Sequence, residues 1–191
     1  QNKYYPHIFE PITINGVTFK NRIFTAPSMG HMIQNNAPTY PEAPMIANYL
    51  EKGQGGAAQV ECGGQQVNDP GANPIHSKFD IEDPTGWRNF IHFTNAIHFY
   101  DAKLYELIHF GSEGEYTKEA LAKGKPFACS SFTRKDGVEF QQIPYEEMDR
   151  LADRYASLAE CVKFCGFDTL LITAATAPCS RSSSPPFQPR T

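Results

Sequence analysis

Four short runs of β-branched and apolar residues recur along this chain, separated by segments of helical spacing, and that alternation constrains the fold more than any other feature. The runs cover residues 22–26 (RIFTA), 57–62 (AAQVEC), 103–110 (KLYELIHF) and 168–172 (DTLLI). Between them, Met45, Ile46, Tyr49 and Leu50 share one face of a helix over residues 41–52. Trp87, Phe90, Ile91, Ile97 and His98 do the same over 87–100, and Met148, Leu151, Tyr155, Leu158, Ala159 and Val162 over 145–165. Strand, helix and strand in succession predict a parallel sheet with crossover helices.

The breaks between these segments carry their own chemistry. Asn15-Gly16 sits between two short β-branched runs and supplies the positive-φ pair of a tight type I′ hairpin. Pro27 cannot donate to a ladder and ends the first strand. Glycines at 53, 55 and 56 stop the first helix, Gly63-Gly64 breaks the second strand, and Gly166 ends the last helix. Asp83 or Thr85 caps the second helix, with Pro84 near its first turn. Residues 111–144 show no sustained period and contain one turn, Lys135-Asp136-Gly137. Insertions of that length in a compact domain are usually lids or binding loops.

Hydrophobic residues at 40% and charged residues at 20% are enough for a buried core. A net charge of −4 lacks the basic surface a nucleic-acid partner requires. No apolar run approaches the ~18 residues of a membrane span, and the N-terminal residues do not read as a secretory signal. The expectation is therefore a cytoplasmic protein with a small-molecule substrate, and neither nucleic acid nor membrane as partner. With no initiator Met, the expectation is that either the first residues were cut off or the gene model is incomplete. Five cysteines, odd in number and widely spread, argue against a disulfide framework. Cys161 and Cys165 share a helix face and read as packed apolar thiols rather than a metal pair, since no second pair follows at ligand spacing. No metal site is expected.

Two architectures fit four β/α repeats. A doubly wound sheet would carry a glycine-rich phosphate turn after its first strand, and the turn here is APSMG. A (β/α)8 barrel places its chemistry on the loops after the strand C-termini, which are the long segments here. The expected fold class is α/β: a partial TIM barrel, its first four β/α strands preceded by a β-hairpin.

Read in order, the opening hairpin, NRIFTAPSMG, GGAAQVECGG, AKLYELIHFG and the long helix running into CGFDTLLI resemble the Old Yellow Enzyme family of NADH:flavin oxidoreductases. The likeness is strongest to the subgroup of 2,4-dienoyl-CoA reductase and the flavin enzymes of bile-acid dehydroxylation, and it covers residues 6–172. It implies a barrel with FMN at its top face and NAD(P)H as reductant. An iron–sulfur cluster and FAD belong only to the C-terminal part of longer relatives, and Cys179 is no cluster ligand. The resemblance puts Ala26, Pro27, Ser28 and Met29 against the flavin ring and Gly63 beside its pyrimidine edge. Glu106 stands where the family has a Gln that hydrogen-bonds the pyrimidine; an ionised carboxylate can accept there but not donate. His109 matches the family's strand-end His. Read without the family, Pro27 is a strand stop, Gly63 a strand-end glycine and His109 a structural side chain.

After residue 172 the family continues with a segment like IHGGHGSLLSQFLSP, whose histidines grip the substrate carbonyl. This chain has TAATAPCSRSSSP from Thr173 to Pro185. Dropping one base from a coding sequence for HGGHGSLLSQFLSPP reproduces that string residue for residue. Residues 173–191 are thus expected to be an aberrant, frameshifted tail, and residues 1–172 the N-terminal half of the barrel. The encoded parent is expected to be an ene reductase passing hydride through FMN to the C=C bond of an α,β-unsaturated carbonyl, such as a steroid, bile acid or enoyl-CoA. Tyr116, in the lid loop, is the candidate proton donor. The chain as it stands is expected to be inactive. Two rivals are a non-enzymatic half-barrel that self-associates through its sheet edges as a homo-oligomer, and a lyase or isomerase using Glu61 and Glu106 as a carboxylate pair.

Overall fold

The computed structural model describes residues 4–26, 40–66, 79–109, 121, 122 and 124–172. It begins with the expected hairpin, β1 (Ile12–Ile14) and β2 (Val17–Phe19), paired antiparallel with Ile14 opposite Val17. Asn15 and Gly16 take φ of 46° and 83°, the two left-handed positions that the dipeptide supplies. Asn21 ties the hairpin to the rest of the chain. Its amide donates to Gly56 O at 2.8 Å while its side-chain oxygen accepts from Ile23 N at 2.9 Å.

The first helix, α1 (Ala43–Gln54), leads into β3 (Gln59–Gln66). A 3-10 turn, Pro84–Gly86, opens α2 (Trp87–His98), with the Asp83 carboxylate accepting from Thr85 N at 2.9 Å. Strand β4 (Lys103–His109) follows. The longest helix, α3 (Tyr145–Phe164), carries Glu146 and Glu147 in its first turn and Lys163 in its last, as the helix dipole favours. It delivers the chain to the last strand, Thr169–Ile172.

Strands β3, β4 and Thr169–Ile172 form a parallel sheet in that spatial order. The expected strand over 22–26 is reduced to one parallel bridge, Phe24 to Gln59, flanked by Ala58 N to Ile23 O (2.9 Å) and Thr25 N to Gln59 O (3.0 Å). It still occupies the place of the first strand beside β3. A second departure concerns Gly63-Gly64. The strand runs through both glycines, and the ladder slips between Glu61 and Gly64, as a bulge does.

All three helices cover one face of this sheet. Met45, Ile46 and Tyr49 of α1, Phe90, Phe93 and Ile97 of α2, and Leu158 and Val162 of α3 pack against Val60, Cys62, Leu104 and Ile108. Burying each large side chain contributes roughly 1.5–3 kcal/mol. Cys165 is buried in this layer and Cys161 packs against it. Met148, expected on the buried face of α3, is instead 40% exposed; the buried residues of this helix, Leu158 and Val162, lie in its C-terminal half.

Inside the insertion, three strands escaped the sequence reading: β5 (Phe127–Ala128), β6 (Phe132–Thr133) and β7 (Glu139–Gln142), in the order β5-β7-β6. Runs of two to four residues are too short to show a period. The turn at 135–137 is present: Gly137 has φ 86°, Arg134 pairs with Asp136, and Phe132 stacks on Phe140 with ring centroids 4.8 Å apart. The final strand of the parallel sheet, Thr169–Ile172, is β8.

Candidate functional site

In a sheet of this kind the strand C-termini form one mouth, where loops carry chemistry, while the N-termini form the base. Thr25 marks the first strand end and is fixed three ways. Its N–H donates to Gln59 O, its hydroxyl accepts from Glu61 N at 3.0 Å, and its carbonyl accepts from the Tyr105 hydroxyl at 3.1 Å. Ala26 follows, small and exposed, at the point where the chain leaves the sheet. Pro27, Ser28 and Met29 lie outside the described residues, as does Tyr116.

Gly63 stands in the slipped stretch of β3, where the backbone departs from a regular ladder. His109 is the last residue of β4 and pairs in register with Gln66, so Gly63, Ala26 and His109 do gather at the same end of the sheet.

Glu106 does not join them. Tyr105 pairs with Glu61 and Thr169, and with Gln59 and Leu171 it faces the concave side. Successive side chains alternate between faces, so Glu106 lies with Leu104 and Ile108 on the helix-covered side. It is 1% exposed, and neither carboxylate oxygen has a hydrogen-bond partner of ordinary geometry. Burial pushes its pKa well above the usual carboxylate range. The Cys62 thiol, a weak donor beside it, pulls the other way, and the Glu61 charge adds to the rise. Burial likewise raises Cys62, with Glu106 next to it as the second cause. The expected contact between Glu106 and a flavin pyrimidine is therefore corrected: the strand register turns this carboxyl away from the concave face. The same geometry separates Glu61 from Glu106 across the sheet, which removes the carboxylate pair that a lyase or isomerase would need.

Sequence reasoning missed the concave-side group of Thr25, Glu61 and Tyr105. Glu61 is buried, and Tyr105 is held protonated, its pKa pushed up to about 12 by burial and then by the Glu61 charge. The signal was present in the period-two placement of Gln59, Glu61 and Tyr105 among apolar residues.

A concave cavity of about 650 Å³ lies beneath this group, lined by Val17 and Phe19 of the hairpin, Phe24, Gln59, Tyr105 and Leu171. It belongs to the base and interior rather than the mouth. In a complete barrel such space is filled by layers of side chains from all the strands. At the base Asp168 is fixed by Leu104 N (2.9 Å), Lys103 (3.2 Å) and His98 (2.7 Å), so the aspartate of the GFD run is a clamp between β4, β8 and the end of α2.

The model of the NADH:flavin oxidoreductase / NADH oxidase family matches residues 7–177. The chain belongs to this family. Within the family, it is 20% identical over 178 residues to the NADH oxidase of Thermoanaerobacter brockii, a match covering 90% of this chain and 26% of that protein. Among solved structures, Old Yellow Enzyme from Pichia sp. AKU4542 superposes with a TM-score of 0.70 at 14% identity, over 87% of this chain and 45% of that one. A 2-naphthoyl-CoA reductase gives 0.71 at 16% identity, over 88% and 27%. The sheet and its helices thus have the fold of this flavin oxidoreductase family, and the chain spans less than half the length of these relatives. Among the described residues, no helix is long and apolar enough to cross a membrane.

Proposed function

We propose that this chain is the N-terminal half of an FMN-dependent ene reductase whose parent reduces the C=C bond of an α,β-unsaturated carbonyl compound, a steroid, bile acid or enoyl-CoA, at the expense of NAD(P)H. The family match over residues 7–177 carries this reading. The likeness to a reductase of an aromatic CoA thioester is compatible with the enoyl-CoA class.

The described residues fit a flavin in part. Ala26 offers a rigid, small strand end, and Gly63 lets a planar ring approach the backbone closely. Glu106 does not fit. When bound, FMN would supply hydride transfer between nicotinamide and alkene. The residues of this chain would hold one edge of the ring and exclude water, with Thr25 and Tyr105 keeping the first strand end in place from behind. His109 closes β4 at the substrate side, and Tyr116 remains the proposed proton donor. The phosphate site of this fold is built by loops after strands seven and eight. Those strands are not among the described residues, and the 191-residue chain alone is proposed to hold FMN weakly and to be inactive. Residues 173–191 are proposed to be out-of-frame translation.

Resequencing the DNA across codon 173 tests that reading, with a histidine- and glycine-rich segment expected in the alternative frame. Protein from the restored frame is expected to stay yellow after desalting and to oxidise NADH when an enone is added. The 191-residue chain is expected to do neither. An intact frame with no such segment, or a restored protein without flavin, would contradict the proposal.

A further inference from the structure

The parallel sheet has two open edges. On one side stands the Ile23–Thr25 stretch, bridged only to β3, and on the other β8, paired only to β4; among the described residues nothing pairs with the outer edge of either. We propose that two copies of this chain close one eight-stranded barrel around a two-fold axis parallel to the strands. Rotation about such an axis preserves strand direction. Each β8 therefore meets the first strand of the other copy in parallel, at two identical seams.

Side-chain placement agrees. Phe24 and Leu171 both line the concave cavity, and they are 41% and 43% exposed where most of the sheet is buried. Phe24 shares a row with Gln59, which pairs with Lys103. Continuing the Tyr105–Thr169 pairing back by two residues puts Phe167 in that row. A β/α barrel is sheared by about eight residues round the circle, hence about four per half. Four residues beyond Phe167 is Leu171, so the stagger brings Leu171 beside Phe24 of the second copy, both on the inner face.

The buried area is also sufficient. Four strands ~4.8 Å apart and about four residues long present a concave face of about 250 Å². Two side walls, each a sheet layer plus a helix layer deep, add about 500 Å². Stable complexes bury roughly 800 Å² per partner.

Light scattering of the purified chain at micromolar concentration tests this. The expected mass is twice 21.4 kDa. Leu171→Glu and Phe24→Lys, made singly, are expected to give monomers with an unchanged circular dichroism spectrum. The double variant is expected to restore the dimer, because glutamate and lysine then meet across both seams. Within one copy these positions lie on the two outer strands, with β3 and β4 between them. A monomeric parent chain, an open-ended ladder of oligomers, or a double variant as monomeric as the singles would overturn the proposal.

Discussion

Glu106 shows how one side chain separates a family position from a structural role. Its place in AKLYELIHFG suggests a cofactor contact, yet period two already puts it with Leu104 and Ile108, and the register confirms that face. An acid buried with no more than a weak thiol donor beside it keeps its proton in the folded state at pH values where the unfolded chain has lost it. Folding must then take up a proton, so the stability this group allows is complete below its unfolded pKa and declines as pH rises toward its folded pKa. Replacing it by Met is expected to stabilise the chain near pH 7, with the gain shrinking as pH falls toward the ordinary glutamate range. Urea unfolding of both proteins across that range checks this; a gain independent of pH would contradict the burial argument. Asp168 presents the opposite case. Three donors satisfy it at the base, and Asp168→Ala is expected to cost about 1.5–3 kcal/mol by the same measurement.

At the scale of elements, the sequence is most legible where a period is long or a turn has a unique residue. The hairpin, the three helices and strands β4 and β8 lie where spacing puts them. The first strand is shorter than expected, a single bridge at Phe24, and β3 is longer because a slipped ladder tolerates glycine where a regular one would not. The strands of the insertion carry no period to read. Two glycines allow a graded test of the turns. Gly16 has φ 83° and open space where a Cβ would stand, so Gly16→Ala meets torsional strain alone, about 1 kcal/mol. Gly166, past the end of α3, has φ 89°, and its Cβ would lie 3.0 Å from the Thr94 hydroxyl that donates to Cys165 O. Gly166→Ala is expected to lower the urea midpoint clearly more than Gly16→Ala. Equal effects would mean that the Thr94 contact contributes nothing.

For the whole molecule, the alternation of strand and helix signals makes the α/β architecture legible, and among the described residues it takes the form of a parallel sheet of β3, β4 and β8 with the Phe24 bridge at one edge. The concave face carries a cavity lined by the hairpin and by residues of the parallel sheet. Period two puts Gln59 and Glu61 on one face, but that Thr25 and Tyr105 meet Glu61 there depends on pairing register across strands far apart in the chain. The family assignment rests on the match over residues 7–177, and the flavin role is a proposal built on it. The most direct test is the absorption spectrum, after desalting, of protein expressed from the gene with its frame restored at codon 173, beside the 191-residue chain. A flavin spectrum at about one FMN per restored chain and none with the short chain is the predicted result; a colourless restored protein, or a short chain that holds FMN just as firmly, would contradict the account.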